Sequence, residues 1–188
     1  MVQDYFQSFK LFTENEIEEL LTLFEIRKVN KGDYFIQEGE RCREVAFIKS
    51  GIFRSFYISD QGKDITYCFR FPDSMIAAYS SFISGSPSQE NMQAITEAEL
   101  LVLKKETMDS LVQDDLNWTK FLKIIAEQEY LELEKRFFQL QRDNATQRYI
   151  TLLENYPDYI QNIPLQYLAS YLGITQRHLS RIRKEISF

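Results

Sequence analysis

The chain has 188 residues, 44% of them hydrophobic and 27% charged, with a net charge of −6, a size suited to one ordinary domain or two small ones. One histidine, His178, and two cysteines without CxxC spacing, Cys42 and Cys68, leave no ligand set for zinc or an iron–sulfur cluster, and no metal or cofactor is implied. The N-terminus MVQDYFQSFK lacks a basic stretch before a long apolar run, and no window approaches the roughly 18 apolar residues of a membrane helix, so a cytoplasmic, membrane-free protein with reduced thiols is expected.

In chain order, Thr13 and Glu16 fit a capping box, and Ile17, Leu20, Leu21 and Phe24 follow at helical spacing. From Arg27 to about Leu103 short apolar runs alternate with turn signals, five of them built around glycine. The strand-like pieces are Tyr34–Ile36, Val45–Ile48, Ile52–Ile58, Ile65–Phe71, Met92–Thr96 and Leu100–Leu103, the spacing of a barrel or sandwich. Cys42 falls in a turn and Cys68 in a strand, ordinary places for a turn residue and a core residue rather than a redox pair.

Beyond Lys104 the period becomes helical. Glu106 to Val112 forms a short connection, and Leu116 to Arg142, free of glycine and proline, allows one helix about 40 Å long. Trp118, Leu122, Ala126, Tyr130, Leu133, Phe137 and Leu140 make a stripe along it, the expected homodimer seam, while Phe121, Ile125, Leu131 and Phe138 lie off it. A helix from about Asn144 carries Tyr149, Leu152, Leu153 and Tyr156 and stops at Pro157. Pro164 suits the first turn of the next.

Leu165 to Lys184 reads LQYLASYLGITQRHLSRIRK. Two helices crossing closely need a small residue at the fifth position, here Ala169, and glycine at the ninth, here Gly173. Leu168, Leu172, Ile174, Leu179 and Ile182 fill the apolar slots, and Thr175 stands where it can cap the second helix. This is a helix-turn-helix, with Thr175, Gln176, Arg177, Ser180, Arg181, Arg183 and Lys184 as its DNA-binding residues. From Thr175 to Phe188 four cations meet one carboxylate, a net +3 that leaves −9 upstream. The positive charge is thus gathered at one end of an acidic chain. His178 faces phosphate or solvent.

On KGDYFIQEGERCREVAFIKSGIFRSFYISDQGKDIT (Lys31 to Thr66) and LASYLGITQRHLSRIRK (Leu168 to Lys184) the chain resembles the Crp–Fnr family of transcription regulators. The resemblance implies an α+β chain: an N-terminal double-stranded β-helix, the cyclic-nucleotide-binding-like β-roll, over 1–115; a dimerisation helix over 116–142; and a helix-turn-helix domain over 143–188. It also implies a homodimer on a roughly two-fold symmetric stretch of double-stranded DNA, contact with RNA polymerase, and no catalytic residues.

The departures from the family are specific. Where cyclic-AMP-binding members carry a Gly-Glu pair and a later arginine, this chain has Ala77, Ala78 and Ser88, so the cyclic phosphate has no counter-charge. The cysteine set of the oxygen-sensing branch is absent, and the one histidine lies in the recognition helix, which excludes carrying over a haem site. Tyr79, Ser80, Ser81, Phe82, Ser88, Gln89 and Met92 are candidates to line an altered pocket for a neutral or apolar small-molecule effector; equally, the segment has lost its ligand. A regulator without an effector, or an accessory protein whose helix-turn-helix binds protein, is the alternative to an effector-controlled DNA-binding regulator. A metal-dependent cupin enzyme fails for want of a histidine cluster.

Overall fold

A computed structural model describes residues 2–186, without the side chains of residues 158 and 159. Met1 and residues 187–188, the extreme ends of the expected first and last domains, lie outside the described residues.

The chain opens with two short helices, α1 (Val2–Ser8) and α2 (Glu14–Thr22). The capping box of α2 is formed: the Glu16 amide donates to the Thr13 hydroxyl at 3.3 Å, and the Thr13 amide donates to the Glu16 carboxylate at 2.7 Å. The Thr13 hydroxyl, which also donates to the Glu16 carboxylate at 2.7 Å, and the Thr13 amide together hold that carboxyl below its ordinary range. Helix α1, with no sequence signal of its own, turns Phe6 fully inward.

Eight strands follow: β1 (Glu25–Val29), β2 (Tyr34–Ile36), β3 (Glu44–Ser50), β4 (Phe53–Ile58), β5 (Asp64–Arg70), β6 (Met75–Ile76), β7 (Asn91–Ala94) and β8 (Ala98–Lys104). They form two four-stranded sheets, ordered β1-β8-β3-β6 and β2-β7-β4-β5, with antiparallel pairing wherever the register is defined. This is the expected roll. Strands β1 and β6 were not legible beforehand: β1 reads EIRKV with a single buried residue, Val29, and β6 has two residues. Alternation places Phe53, Met92, Ala94 and Ile36 in the core, and places Arg54, Gln93 and Phe56 on the other face. There the 4%-exposed Arg54 donates from Nε and Nη2 to the Gln93 side-chain carbonyl and stacks on Phe56 at 3.8 Å. Gly51 is required by both conformation and space. Its φ is +94°, and a Cβ there would meet the Ala98 Cβ at 2.4 Å.

Between β6 and β7 lies α3 (Tyr79–Ser84), closed by Gly85 in the left-handed conformation. After β8 come α4 (Lys105–Asp114) and the long α5 (Leu116–Arg142), whose limits match the sequence reading. The last helices are α6 (Ala145–Asn155), α7 (Pro157–Asn162), α8 (Leu165–Tyr171) and α9 (Gln176–Ile186). Helix α6 stops as expected just before Pro157, with Tyr156 as its C-cap. Pro157 opens α7, where its missing N–H is no loss. Pro164 sits one place earlier than expected, at the N-cap of α8.

The chain divides into two compact units. One comprises residues 1–57 and 68–126, and the other comprises residues 58–67 and 127–188. The core of the first is the roll with α1, α2, α4 and the start of α5. In the second, Tyr149, Leu152, Ile163, Leu168, Ala169, Leu172, Leu179 and Ile182 are buried.

Candidate nucleic-acid interface and the segments around it

The turn between α8 and α9 explains the residue pattern. Gly173 has φ +69°, a conformation that costs a side-chain-bearing residue about 1 kcal/mol or more. Its N–H donates to the Ser170 carbonyl at 2.9 Å, and the Ile174 N–H donates to the Ala169 carbonyl at 3.0 Å. Those two bonds make a Schellman closure that satisfies carbonyls the helix end would otherwise leave open. Thr175 caps α9, its hydroxyl accepting from the His178 N–H at 3.2 Å. Ala169 is buried between the helices, and Leu168, Leu172 and Leu179 are fully enclosed. Ile174 is half-buried.

With Leu179 and Ile182 inward, α9 turns Gln176, Arg177, Arg181 and Lys184 to solvent, Thr175 beside them, and Ser180 stays half-buried. Arg181 lies 3.8 Å from the Glu185 carboxylate with its side chain 69% exposed, an association weak enough for phosphate to displace. Arg183 has a partner within the chain. It follows Ile182 directly, on the flank of the buried stripe, and its Nε donates to the Tyr149 hydroxyl at 3.1 Å. It ties α9 to α6 instead of joining the outer row.

The predicted seam on α5 separates into two parts. Trp118 is buried in the chain's own core, 4.5 Å from Phe12 between ring centroids, and Phe121 lies 5.4 Å from Phe6. Trp118 is therefore withdrawn from any partner, because α1 and the segment after it supply aromatic rings that the stripe alone did not reveal. Leu122 and Ala126 are half-buried. Tyr130, Leu133, Phe137 and Leu140 are each 46–63% exposed, and Leu131 and Phe138 stand beside them.

The candidate effector residues differ in burial and in how their hydroxyls are used. Ala78, Phe82 and Met92 are part of the roll core. The Ser81 hydroxyl accepts from the Cys42 N–H at 3.0 Å and donates to the Ser86 carbonyl at 2.5 Å. The Ser88 hydroxyl donates to the Glu90 carbonyl at 2.8 Å and accepts from the Glu90 N–H at 3.2 Å. The backbone of Ser88 is also paired, with Gly39 and Glu40. Ser80 and Gln89 are exposed, and Tyr79 is half-buried. A cavity of about 500 Å³ adjoins them, lined by Phe35, Ile36, Glu40, Arg41, Cys42, Arg43 and Glu44; none of these is a sequence candidate, but Cys42 bonds to Ser81, Glu40 to Ser88, and Ile36 pairs with Met92. Its charges are largely engaged. Arg27 holds Glu44 through two bonds of 2.7 and 2.9 Å, which keep the Glu44 carboxyl below its ordinary range and raise the guanidinium. Glu40 accepts from the Gln37 N–H at 2.8 Å, and Arg41 donates to the Gly85 carbonyl. Burial pushes the Cys42 thiol up, away from the reactive thiolate. Cys42 and Cys68 are both free thiols. Among the described residues no cluster of three or more His, Cys, Asp or Glu could hold a metal ion, and no helix is long and apolar enough to cross a membrane.

Residues 26–115 match the family described as "Cyclic nucleotide-binding domain". No curated protein matches the sequence significantly. Among solved structures, FixK2 from Bradyrhizobium japonicum aligns with a TM-score of 0.77 at 18% identity, covering 87% of this chain and 84% of its own. The c-di-GMP responsive global regulator CLP of Xanthomonas campestris gives 0.68 at 17% identity over 93% of this chain and 92% of its own. The catabolite activator protein of Thermus thermophilus gives 0.54 at 19% identity over 94% and 84%. The roll thus has the fold of a cyclic nucleotide-binding domain. Joined to the long helix and the terminal helix-turn-helix, it makes the fold of the Crp–Fnr transcription regulators.

Proposed function

We propose that this chain is a DNA-binding transcription regulator that acts in the cytoplasm as a homodimer on a roughly palindromic operator. The observation that carries the reading is α9. It combines a fully buried inner stripe, a capped N-terminus and a solvent-facing row of Gln176, Arg177, Arg181 and Lys184. A helix of this kind fits the major groove with its first turn toward the base edges, where Arg177 can pair with guanine. Arg183, held by Tyr149, orients α9 and is not counted among the phosphate contacts. RNA polymerase is the expected protein partner.

The roll does not take cyclic AMP in this reading. The hydroxyls of Ser81 and Ser88 are spent on the chain's own backbone, and Ala78 is a core residue. A buried cyclic phosphate would lack a counter-charge there. An effector, if the protein uses one, is neutral or apolar.

The test is an electrophoretic shift on random duplex across a salt series. Arg177, Arg181 and Lys184 supply six cations per dimer, so affinity should fall by about 10³-fold between roughly 50 and 200 mM salt. Binding that ignores salt, or none at low salt, would turn the reading toward a helix-turn-helix that binds protein.

A further inference from the structure

The last turn of α8 is gripped at three successive residues by three different elements, all within the second compact unit. The Ser170 hydroxyl accepts from the Thr66 N–H at 2.9 Å and donates to the Asp64 carbonyl at 3.0 Å, spanning the start of β5. The Tyr171 carbonyl accepts from Arg136 of α5, whose guanidinium also lies 3.8 Å from the centre of the Tyr171 ring. The Leu172 carbonyl accepts from Nε and Nη2 of Arg148 in α6, at 3.2 and 2.9 Å.

Of the three, the Arg136 grip alone joins the reading head to the long helix. Arg136 follows Leu133 by three residues and precedes Leu140 by four, so on a helix it neighbours both. The grip on α8 therefore lies within about one turn of exposed apolar residues on either side of it along α5. A guanidinium that lies over a ring while donating to the adjacent carbonyl constrains both distance and orientation, which a lysine ammonium does not.

We infer that Arg136 is a positioning residue of DNA recognition: through Tyr171 it sets the orientation of α8 and α9 on α5, and so the spacing of the two half-sites the dimer accepts. The inference rests on the homodimeric DNA-binding reading above. Two recognition helices match a duplex only when held one helical turn apart. A reading head loosened from α5 keeps its base contacts and loses its fixed spacing.

The experiment is selection of binding sites from a random duplex pool by the full-length wild type, Arg136→Ala, Arg136→Lys and Tyr171→Leu, with affinities then measured for a full site and a single half-site. The wild type should select one narrow spacing. The three variants should recover the same half-site sequence with a broadened spacing, and should lose about tenfold on the full site while changing less than about twofold on the half-site. Tyr171→Leu removes the stacking ring but leaves the carbonyl acceptor in place, so it carries the test if Arg136→Ala fails to fold. Variants that keep the wild-type spacing and full-site affinity overturn this inference alone. A wild type that selects no DNA sequence removes the DNA-binding reading and this inference with it.

Discussion

Replacing Leu133 by alanine tests the dimer most directly. Leu133 is 63% exposed and Phe137 57%, so each has more than half of its side-chain surface left to bury. Full burial of such a side chain contributes about 1.5–3 kcal/mol, and the remaining share is roughly 1–2 kcal/mol. A two-fold interface uses every residue twice. Leu133→Ala should therefore cost about 2–4 kcal/mol of association, weakening the dimer by about 30- to 1,000-fold. Leu133→Asp should be worse, since it places an unpaired charge in the seam. Folding of the single chain should change little, because the side chain is already solvated there. Sedimentation equilibrium over a concentration series reads the association constant, and a thermal melt of the monomeric variant reads the fold. A wild type that stays monomeric at about 100 μM, or a Leu133→Ala protein that dimerises as well as the wild type, would refute the reasoning. Trp118→Ala offers a contrast. It should cost about 3–5 kcal/mol of folding stability, because that ring is packed inside its own chain.

Arg177→Ala should relax sequence choice in a selection experiment, at about 1–3 kcal/mol of discrimination, whereas Lys184→Ala should weaken all sequences alike. Selection of an unchanged operator by both variants would remove the base-reading role of Arg177. Titration calorimetry with cyclic AMP and cyclic GMP should give no dissociation constant below about 10 μM, equivalent to roughly 7 kcal/mol; tighter binding would mean that contacts other than Ser81 and Ser88 hold the phosphate. The Glu44 carboxyl is depressed in the folded chain by its bonds from Arg27, so its contribution is complete above the ordinary carboxylate range and is lost as pH falls through the folded value. Glu44→Gln should flatten that acid-side loss in a series of denaturation midpoints, and an unchanged pH profile would exclude the pair as its source.

Much of this architecture is local and therefore legible in sequence. The limits of α5 follow from 27 residues without glycine or proline, the α2 cap from Thr13 and Glu16, and the helix-turn-helix from Ala169, Gly173 and five apolar slots, because each depends on neighbours a few residues apart. The two-residue β6 and the charged β1 were not legible, since pairing with β3 and β8 makes them strands and their own pattern does not. Tertiary structure likewise decided which apolar residues of α5 remain available. Trp118 and Leu133 occupy the same stripe, but the aromatic rings of α1 and the turn after it cover the first and not the second. It decided the fate of polar side chains as well. The Ser81 hydroxyl is bonded to the backbone of Cys42 and Ser86, and the Ser88 hydroxyl to that of Glu90. Arg183 donates from Nε to the Tyr149 hydroxyl, 34 residues away in sequence. A side chain's periodicity is set by the backbone it sits on, but its hydrogen-bond partner is set by whatever the fold brings within 3 Å, and sequence spacing carries no record of that.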